Sequence, residues 1–183
     1  VHTWEIDPDL VWGDVSLVKG FNNAQDMYPS GMHLQRNGDL LITFQARNLY
    51  PFGVGTAKFD KDGKLLWKTK NFSHHWLHVT DEGLIYMPVL KPVDAPMSVG
   101  NTRARVTCDA KQIYEDIIEV YNDSGEIIES FSVTESFIKS GHFGLVYFNH
   151  ISSVPTYEEC DPTHLNGVYI LNKERAASFA SFD

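Results

Sequence analysis

Residues 57–68 read AKFDKDGKLLWK, an alternating apolar and polar run, a turn at Gly63 and a second run that ends in Trp. Residues 119–130, EVYNDSGEIIES, repeat this arrangement with Gly125 at the turn. The opening residues 1–4, VHTW, match the end of a third copy. Internal repetition at this scale predicts an array of similar β-units. Gly suits the turns because it adopts positive φ without steric cost.

The repeat has a second half that precedes each hairpin. Residues 32–44, MHLQRNGDLLITF, align with residues 77–88, LHVTDEGLIYMP, and in both a His stands five residues before a Gly. Joined to the following hairpin, each unit supplies four short strands, which is one blade of a β-propeller. We therefore predict an all-β fold, an incomplete β-propeller of two to three four-stranded blades with a short C-terminal helix.

The predicted units span residues 1–70, 71–133 and 134–183, the last of them incomplete, in one propeller domain. Residues 8–31 form an irregular connector and residues 91–112 an insertion rich in Pro, Gly and small polar residues. Asn172 is the expected N-cap of the C-terminal helix. Strands are expected at residues 1–7, 39–46, 54–60, 64–70, 75–80, 84–90, 113–122, 126–133 and 163–171.

Two nearly complete units cannot close a ring of roughly four to eight blades. An open stack would leave apolar faces and strand edges exposed, which favours aggregation. We therefore expect the chain to be a fragment, its ring completed by the rest of a longer protein or by a partner chain. The start at Val1, without Met, points to a processed or partial N-terminus.

Composition excludes some functions and leaves others open. The net charge of −9 and the absence of a Lys/Arg cluster argue against a nucleic-acid surface. No stretch is apolar for long enough to span a bilayer as a helix. Cys108 and Cys160 could pair in an exported protein or stay free thiols in an intracellular one. We expect a periplasmic or extracellular location.

Histidine is the residue type that most suggests chemistry. The chain has eight, and five of them fall at related places in the repeats. In a propeller, equivalent positions of several blades converge near the central channel, so distant histidines could meet. Imidazole can act as nucleophile, acid–base group, metal ligand or donor to an anion. The five are His33, His74, His75, His78 and His164.

Four stretches together carry a family resemblance. They are residues 73–78, SHHWLH, and residues 161–166, DPTHLN, with the opening VHTW and residues 44–48, FQARN. They resemble the bacterial arylsulfotransferase family, with DPTHLN as the most specific part. The resemblance implies a six-bladed propeller related to quinoprotein-like repeats. It implies transfer of a sulfuryl group from a phenolic sulfate ester to an acceptor phenol, through a sulfo-histidine, with no nucleotide donor and no cofactor.

Carried over by this resemblance, His75 and His164 are the candidate catalytic residues, and Asn166 belongs to the second landmark. We add His78 and Arg47 as candidate substrate-binding residues, because both could face the channel. Trp76 departs from the family, where an acidic residue commonly follows the His pair. The stretches that carry the family's Arg and its nucleophilic His would lie beyond residue 183. We therefore expect no turnover of 4-nitrophenyl sulfate by this chain alone.

Three alternatives remain open at the level of sequence. The spacing of Ala57, Asp60, Gly63 and Trp67 also resembles the repeat of pyrroloquinoline-quinone dehydrogenases, although no cofactor constellation accompanies it. A non-catalytic binding or scaffold propeller is compatible with the same repeats, since one fold hosts many functions. A metal site could be built from His74, His75, His78 and His164, but their spacing does not by itself give convergent ligands. We therefore predict no metal site.

Overall fold

The computed structural model describes most of the chain and is mostly β, with several antiparallel sheets. This confirms the β-rich class that the repeats predict. No helix in the described part of the chain has the length and apolar character needed to cross a bilayer. The described residues are 2–13, 26–47, 52–107, 111–142, 144 and 159–179.

The first sheet is a four-stranded antiparallel meander. Its strands follow one another in chain order. Gly38 and Gly63, the turn residues expected from the repeat, have φ of 93° and 83°. The two central strands are buried along their whole length. The strands are β1 (Met27–Leu34), β2 (Leu40–Ala46), β3 (Gly53–Phe59) and β4 (Leu65–Lys68).

The second sheet repeats this meander with an insertion. Its antiparallel strands are β5 (His78–Val79), β6 (Ile85–Asp94), β9 (Gln112–Tyr121) and β10 (Ile127–Ser132), in the order β10-β9-β6-β5. A small hairpin of β7 (Met97–Ser98) and β8 (Arg105–Val106) separates β6 from β9. Strand β11 (Glu159–Cys160) pairs with β9 in parallel. The turn residues Gly83 and Gly125 both have φ of 84°.

Three short helices have both ends among the described residues, and each of them has a polar N-cap. Helix α1 spans Pro8–Trp12, α2 spans Val133–Lys139 and α3 spans Lys173–Ala176. The predicted cap of the last helix is confirmed, because the Asn172 side chain accepts from the backbone N–H of Arg175. Such a bond satisfies one of the donors that a helix N-terminus leaves free.

Two of the three hydrophobic clusters hold each sheet to its neighbouring segments. In the first, Trp12 of α1 packs on the first sheet together with Phe44 and Phe59. In the second, the β7–β8 hairpin packs with α2 and β9, with Met97 and Ile138 among its buried members.

The third cluster joins the two sheets. Leu41 of the first sheet is buried with Ile85, Met87 and Tyr121 of the second, and Trp67 packs against them. The two repeated units therefore pack against each other over an apolar interface.

A tryptophan contact recurs between successive repeats. Trp4 Nε1 donates to the backbone oxygen of Asp60 at 3.2 Å, and Trp67 Nε1 donates to that of Asp123 at 3.0 Å. Both pairs are separated by 56 residues in the chain. Each indole therefore docks on the turn of the following hairpin.

Several predicted elements need correction. Residues 2–7 form no strand, and the predicted connector contains α1 and the start of β1. The insertion begins after Asp94 and not at residue 91 as predicted, because β6 continues to Asp94. Residues 163–171 are not a strand and carry only an isolated bridge at Gly167.

Two further expectations fall partly outside the described residues. Cys160 is disulfide-bonded, whereas Cys108 lies outside the described residues. Residues 143, 145–158 and 180–183 of the predicted third unit also lie outside them.

Candidate functional site

Two segments that are distant in the chain lie side by side next to the second sheet. Ser73 forms an isolated bridge with Val89 of β6, and the His74 N–H donates to the Pro88 carbonyl at 3.2 Å. The chain then turns away from β6, and Trp76 bridges Gly167 in parallel. This bridge places the predicted landmarks 73–78 and 161–166 next to each other.

The backbone is strained at the two predicted catalytic residues. His75 has φ of 54° and His164 has φ of 46°, which is the left-handed region that residues with a Cβ rarely adopt. Such strain costs about 1–3 kcal/mol per residue, persists only when surrounding structure enforces it, and clusters at functional sites. The conformation of both residues therefore supports the choice of these two positions as a candidate site.

Asp116 of β9 lies at the centre of the site and has no exposed surface. Its Oδ2 accepts from the Leu165 N–H at 3.0 Å and from the Thr163 hydroxyl. Its Oδ1 lies 3.6 Å from Nε2 of the buried His74. One carboxylate thus contacts both landmark segments, and we call the set His74, His75, Asp116, Asp161 and His164 the histidine cluster.

His75 is half-buried and is held through its Nδ1 atom. That atom lies 2.9 Å from His74 Nδ1 and 3.4 Å from the amide nitrogen of Gln45 in β2. Burial lowers the pKa of His75, and the nearby His74 and His164 rings lower it further, while Asp116 acts in the opposite direction. The neutral ring is therefore favoured near pH 7, and a neutral imidazole nitrogen can accept a proton or act as a nucleophile.

His164 is held by the carboxylate of Asp161. Its Nδ1 donates to Asp161 Oδ2 at 2.5 Å, and its backbone N–H donates to Oδ1 at 2.9 Å. The side chain is 59% exposed, whereas that of Asp161 is 11% exposed. Burial, and then the charge of Asp116, raise the pKa of Asp161, although the hydrogen bonds from His164 oppose the rise. The bond through Nδ1 leaves Nε2 as the ring atom available to a ligand.

The other predicted site residues have separate surroundings. Asn166 lies beside the cluster, where its backbone oxygen accepts from the Trp76 N–H at 3.4 Å and its side-chain amide donates to the His164 carbonyl. Arg47 is exposed after the end of β2, and its N–H donates to the Asp26 carbonyl. Among the described hydrogen bonds, none links the Arg47 side chain to the cluster.

His78 belongs to a neighbouring cleft rather than to the histidine cluster. Its ring lies 4.5 Å from that of Tyr169, and both line a cleft of about 440 Å³ with Arg175. Burial, and then the charge of Arg175, lower the pKa of His78. His33, the equivalent residue of the first sheet, lines a second cleft of about 430 Å³.

Sequence reasoning missed several residues that build the cluster. Asp161 and Thr163 belong to the DPTHLN landmark, but the sequence alone predicts no role for them. Asp116 carries a sequence signal, since it falls in phase with the buried positions Ile118 and Val120 of β9. A charged residue on the buried side of a strand needs a partner and therefore marks a polar site.

The arrangement of the histidine and acidic side chains also bears on whether a metal ion could bind. Within the described ranges, no three His, Cys, Asp or Glu residues are arranged to hold a metal ion. The four histidines of the open alternative do not converge, because His74 and His75 contact each other through Nδ1 while the His78 ring lies against Tyr169 at a tilt of 58°.

No family model, curated protein or solved structure matches this chain.

Proposed function

We propose that the histidine cluster binds the sulfuryl group of a phenolic sulfate ester in an arylsulfotransferase-like β-propeller. The observation that carries the proposal is that the two landmarks lie side by side, joined by the Trp76–Gly167 bridge, and that His75 and His164 both have positive φ. The Asp116 carboxylate contacts His74 of one landmark and Leu165 of the other.

The chemistry of sulfuryl transfer fits an acid and a base held close together. The resemblance implies two steps. The bond between sulfur and the leaving phenolic oxygen breaks as a nucleophilic His, expected beyond residue 183, takes the sulfuryl group, and the acceptor oxygen then takes that group from the His as the acceptor phenol loses its proton. His75, neutral near pH 7, would accept that proton. His164, when protonated at Nε2, would donate to a sulfuryl oxygen or to the leaving phenolate.

The propeller part of the proposal is supported by the repeated architecture. Two four-stranded meanders follow each other in the chain, pack face to face and share the Trp-to-turn contact. Four antiparallel strands per unit are the composition of a propeller blade. We propose that each meander is one blade and that further blades complete the ring.

Ligand binding tests the proposal directly. We would add 4-nitrophenyl sulfate to protein carrying 15N-labelled histidine and follow the ring resonances. The proposal predicts saturable shifts of His75 and His164, and roughly tenfold weaker binding in His75→Ala or His164→Ala, as expected for a lost hydrogen bond to a charged group.

The controls separate this site from general effects. His142→Ala removes an exposed ring whose described contact is Ser140, and it should bind as the wild type does. 4-Nitrophenol tests whether the sulfuryl group is needed, and it should bind more weakly. Equal binding by all three variants, or no binding of the sulfate ester by folded wild-type protein, would reject the proposal.

One observation favours a binding or scaffold propeller as the second candidate. Trp76 stands next to His75 with 61% of its surface exposed, and large exposed aromatic residues are typical of contact sites. This candidate predicts that 4-nitrophenyl sulfate leaves the His75 and His164 resonances unchanged.

A further inference from the structure

We infer that Asp116 and His74 are positioning residues that fix the proton of His75 on Nδ1 and leave its Nε2 unprotonated. The inference concerns ring tautomers and follows from contacts within the cluster. Its use in sulfuryl transfer depends on the proposed function.

The first step is the contact between Asp116 and His74. Asp116 Oδ2 already accepts from Thr163 and Leu165, while Oδ1 has no hydrogen-bond partner among the described residues. His74 Nε2 is also buried and finds none in the same part of the chain, and the two atoms face each other at 3.6 Å. A carboxylate oxygen only accepts. The arrangement that satisfies both buried atoms therefore places a proton on His74 Nε2.

In the second step, the tautomer of His74 determines the tautomer of His75. A neutral His74 that is protonated on Nε2 has a lone pair on Nδ1. That atom lies 2.9 Å from His75 Nδ1, a hydrogen-bond distance that two unprotonated nitrogens would not keep. His75 Nδ1 must then carry the proton. Because the neutral imidazole has one N–H, His75 Nε2 is left as the acceptor.

Gln45 is compatible with this assignment. Its amide nitrogen lies 3.4 Å from His75 Nδ1, which makes it the longer of the two contacts to that atom. An amide carries a donor and an acceptor, and a 180° rotation of its end presents the oxygen to the His75 N–H. The shorter His74 contact therefore decides the tautomer.

The tautomer gives His75 a defined role in the proposed reaction. Nε2 takes the proton of the acceptor phenol as the phenol oxygen bonds to the sulfur of the sulfo-histidine, and the electron pair of the broken S–N bond returns to that histidine. In a carboxylate–histidine pair, the carboxylate determines which ring nitrogen carries the proton. Asp116 would act on His75 in this way, but through a second histidine.

Ring 15N chemical shifts and their long-range proton couplings test the inference, because they distinguish the two tautomers. In the wild type we expect His74 to be protonated on Nε2 and His75 on Nδ1. In Asp116→Asn, the oxygen can keep its bonds to Thr163 and Leu165 while the amide NH₂ faces His74. Both tautomers should then reverse, leaving the proton of His75 on Nε2.

Asp161→Asn is the matched control, since it neutralises the other carboxylate of the cluster without touching His74. The His75 tautomer should stay as in the wild type. His75 protonated on Nε2 in the wild type, or an unreversed tautomer in folded Asp116→Asn, would overturn the inference. Thermal unfolding checks the fold of both variants, and if Asp116→Asn does not fold, the wild-type spectrum decides alone.

This result is independent of ligand binding. Tautomers as inferred, with no binding of 4-nitrophenyl sulfate, would uphold the positioning of His75 and reject the proposed function. Binding of 4-nitrophenyl sulfate at His75 with the opposite tautomer would support the proposed function and reject the positioning of His75 by Asp116 and His74.

Discussion

Individual residues shape the site by adopting backbone conformations that residues with a Cβ rarely adopt. His75 and His164 both have positive φ, and Gly31 of β1 packs closely against the backbone of His75. A Cβ at Gly31 would lie 2.1 Å from the His75 carbonyl oxygen, closer than any real contact. The first sheet thus meets the strained turn through a residue that has no side chain.

Gly31→Ala should therefore displace His75. Either β1 or the His75 backbone must move, and overpacking of this kind costs about 1–3 kcal/mol of unfolding free energy. We expect that loss in urea denaturation, together with weaker binding of 4-nitrophenyl sulfate. Gly144→Ala is the matched control, because a Cβ there meets no atom of the described residues within 4 Å. Similar stability and binding in both variants would refute the close packing at Gly31.

At this scale the sequence singled out His75 and His164, which are two of the four described non-Gly residues with positive φ, but not the residues that support them. His75 and His164 stand in short motifs that a resemblance can recognise. The support comes from Asp116 and Gln45, which reach the cluster from separate strands. Pairing across that distance depends on tertiary packing, and a single sequence gives no direct measure of it.

At the scale of elements, local pattern predicted the strands next to Gly turns well. Strands β2, β3, β9 and β10 follow alternation and a turn, both of which are local. Strand β1 was missed because it contains Pro29 and Gly31, which are disfavoured within strands, and its register shifts between these residues. Residues 163–171 have the alternation of a strand, but they dock on residues 74–76 instead of joining a ladder.

Lys58 connects the turns of the two sheets and is almost fully buried, with 2% of its side chain exposed. Its Nζ lies 3.1 Å from Asp39 of the β1–β2 turn and 2.7 Å from Asp123 of the β9–β10 turn. Lys58→Met leaves both carboxylates without this partner, so we expect a loss of about 2–3 kcal/mol of unfolding free energy.

Chemical denaturation measures this loss, and Lys61→Met is its control. Lys61 pairs with Asp62 on the surface, where both side chains are about two-thirds exposed. Its replacement should change stability by no more than about 0.5 kcal/mol. Equal effects of the two substitutions would contradict a role for Lys58 in joining the sheets.

At the scale of the whole molecule, the site depends on the packing of the two sheets and on the docking of residues 161–168 beside them. Gln45 comes from the first sheet, Asp116 from the second, and His164 from the docked segment. The repeats predicted an array of β-units, and the propeller remains a proposal supported by two consecutive meanders. The docking of residues 161–168 could not be predicted from periodicity, because it depends on one bridge, Trp76 to Gly167, and on hydrogen bonds to the buried Asp116 carboxylate.

The most direct test of the account is a titration of His75 by NMR in the wild type and in His164→Gln. Burial, His74 and His164 all lower the pKa of His75 below 6.5, so the ring should become charged only at a more acidic pH. Removing His164 removes the last of these three causes, and the pKa should rise part of the way toward 6.5. His142→Gln should leave it unchanged. An ordinary pKa in the wild type, or no rise in folded His164→Gln, would contradict the meeting of the two histidines.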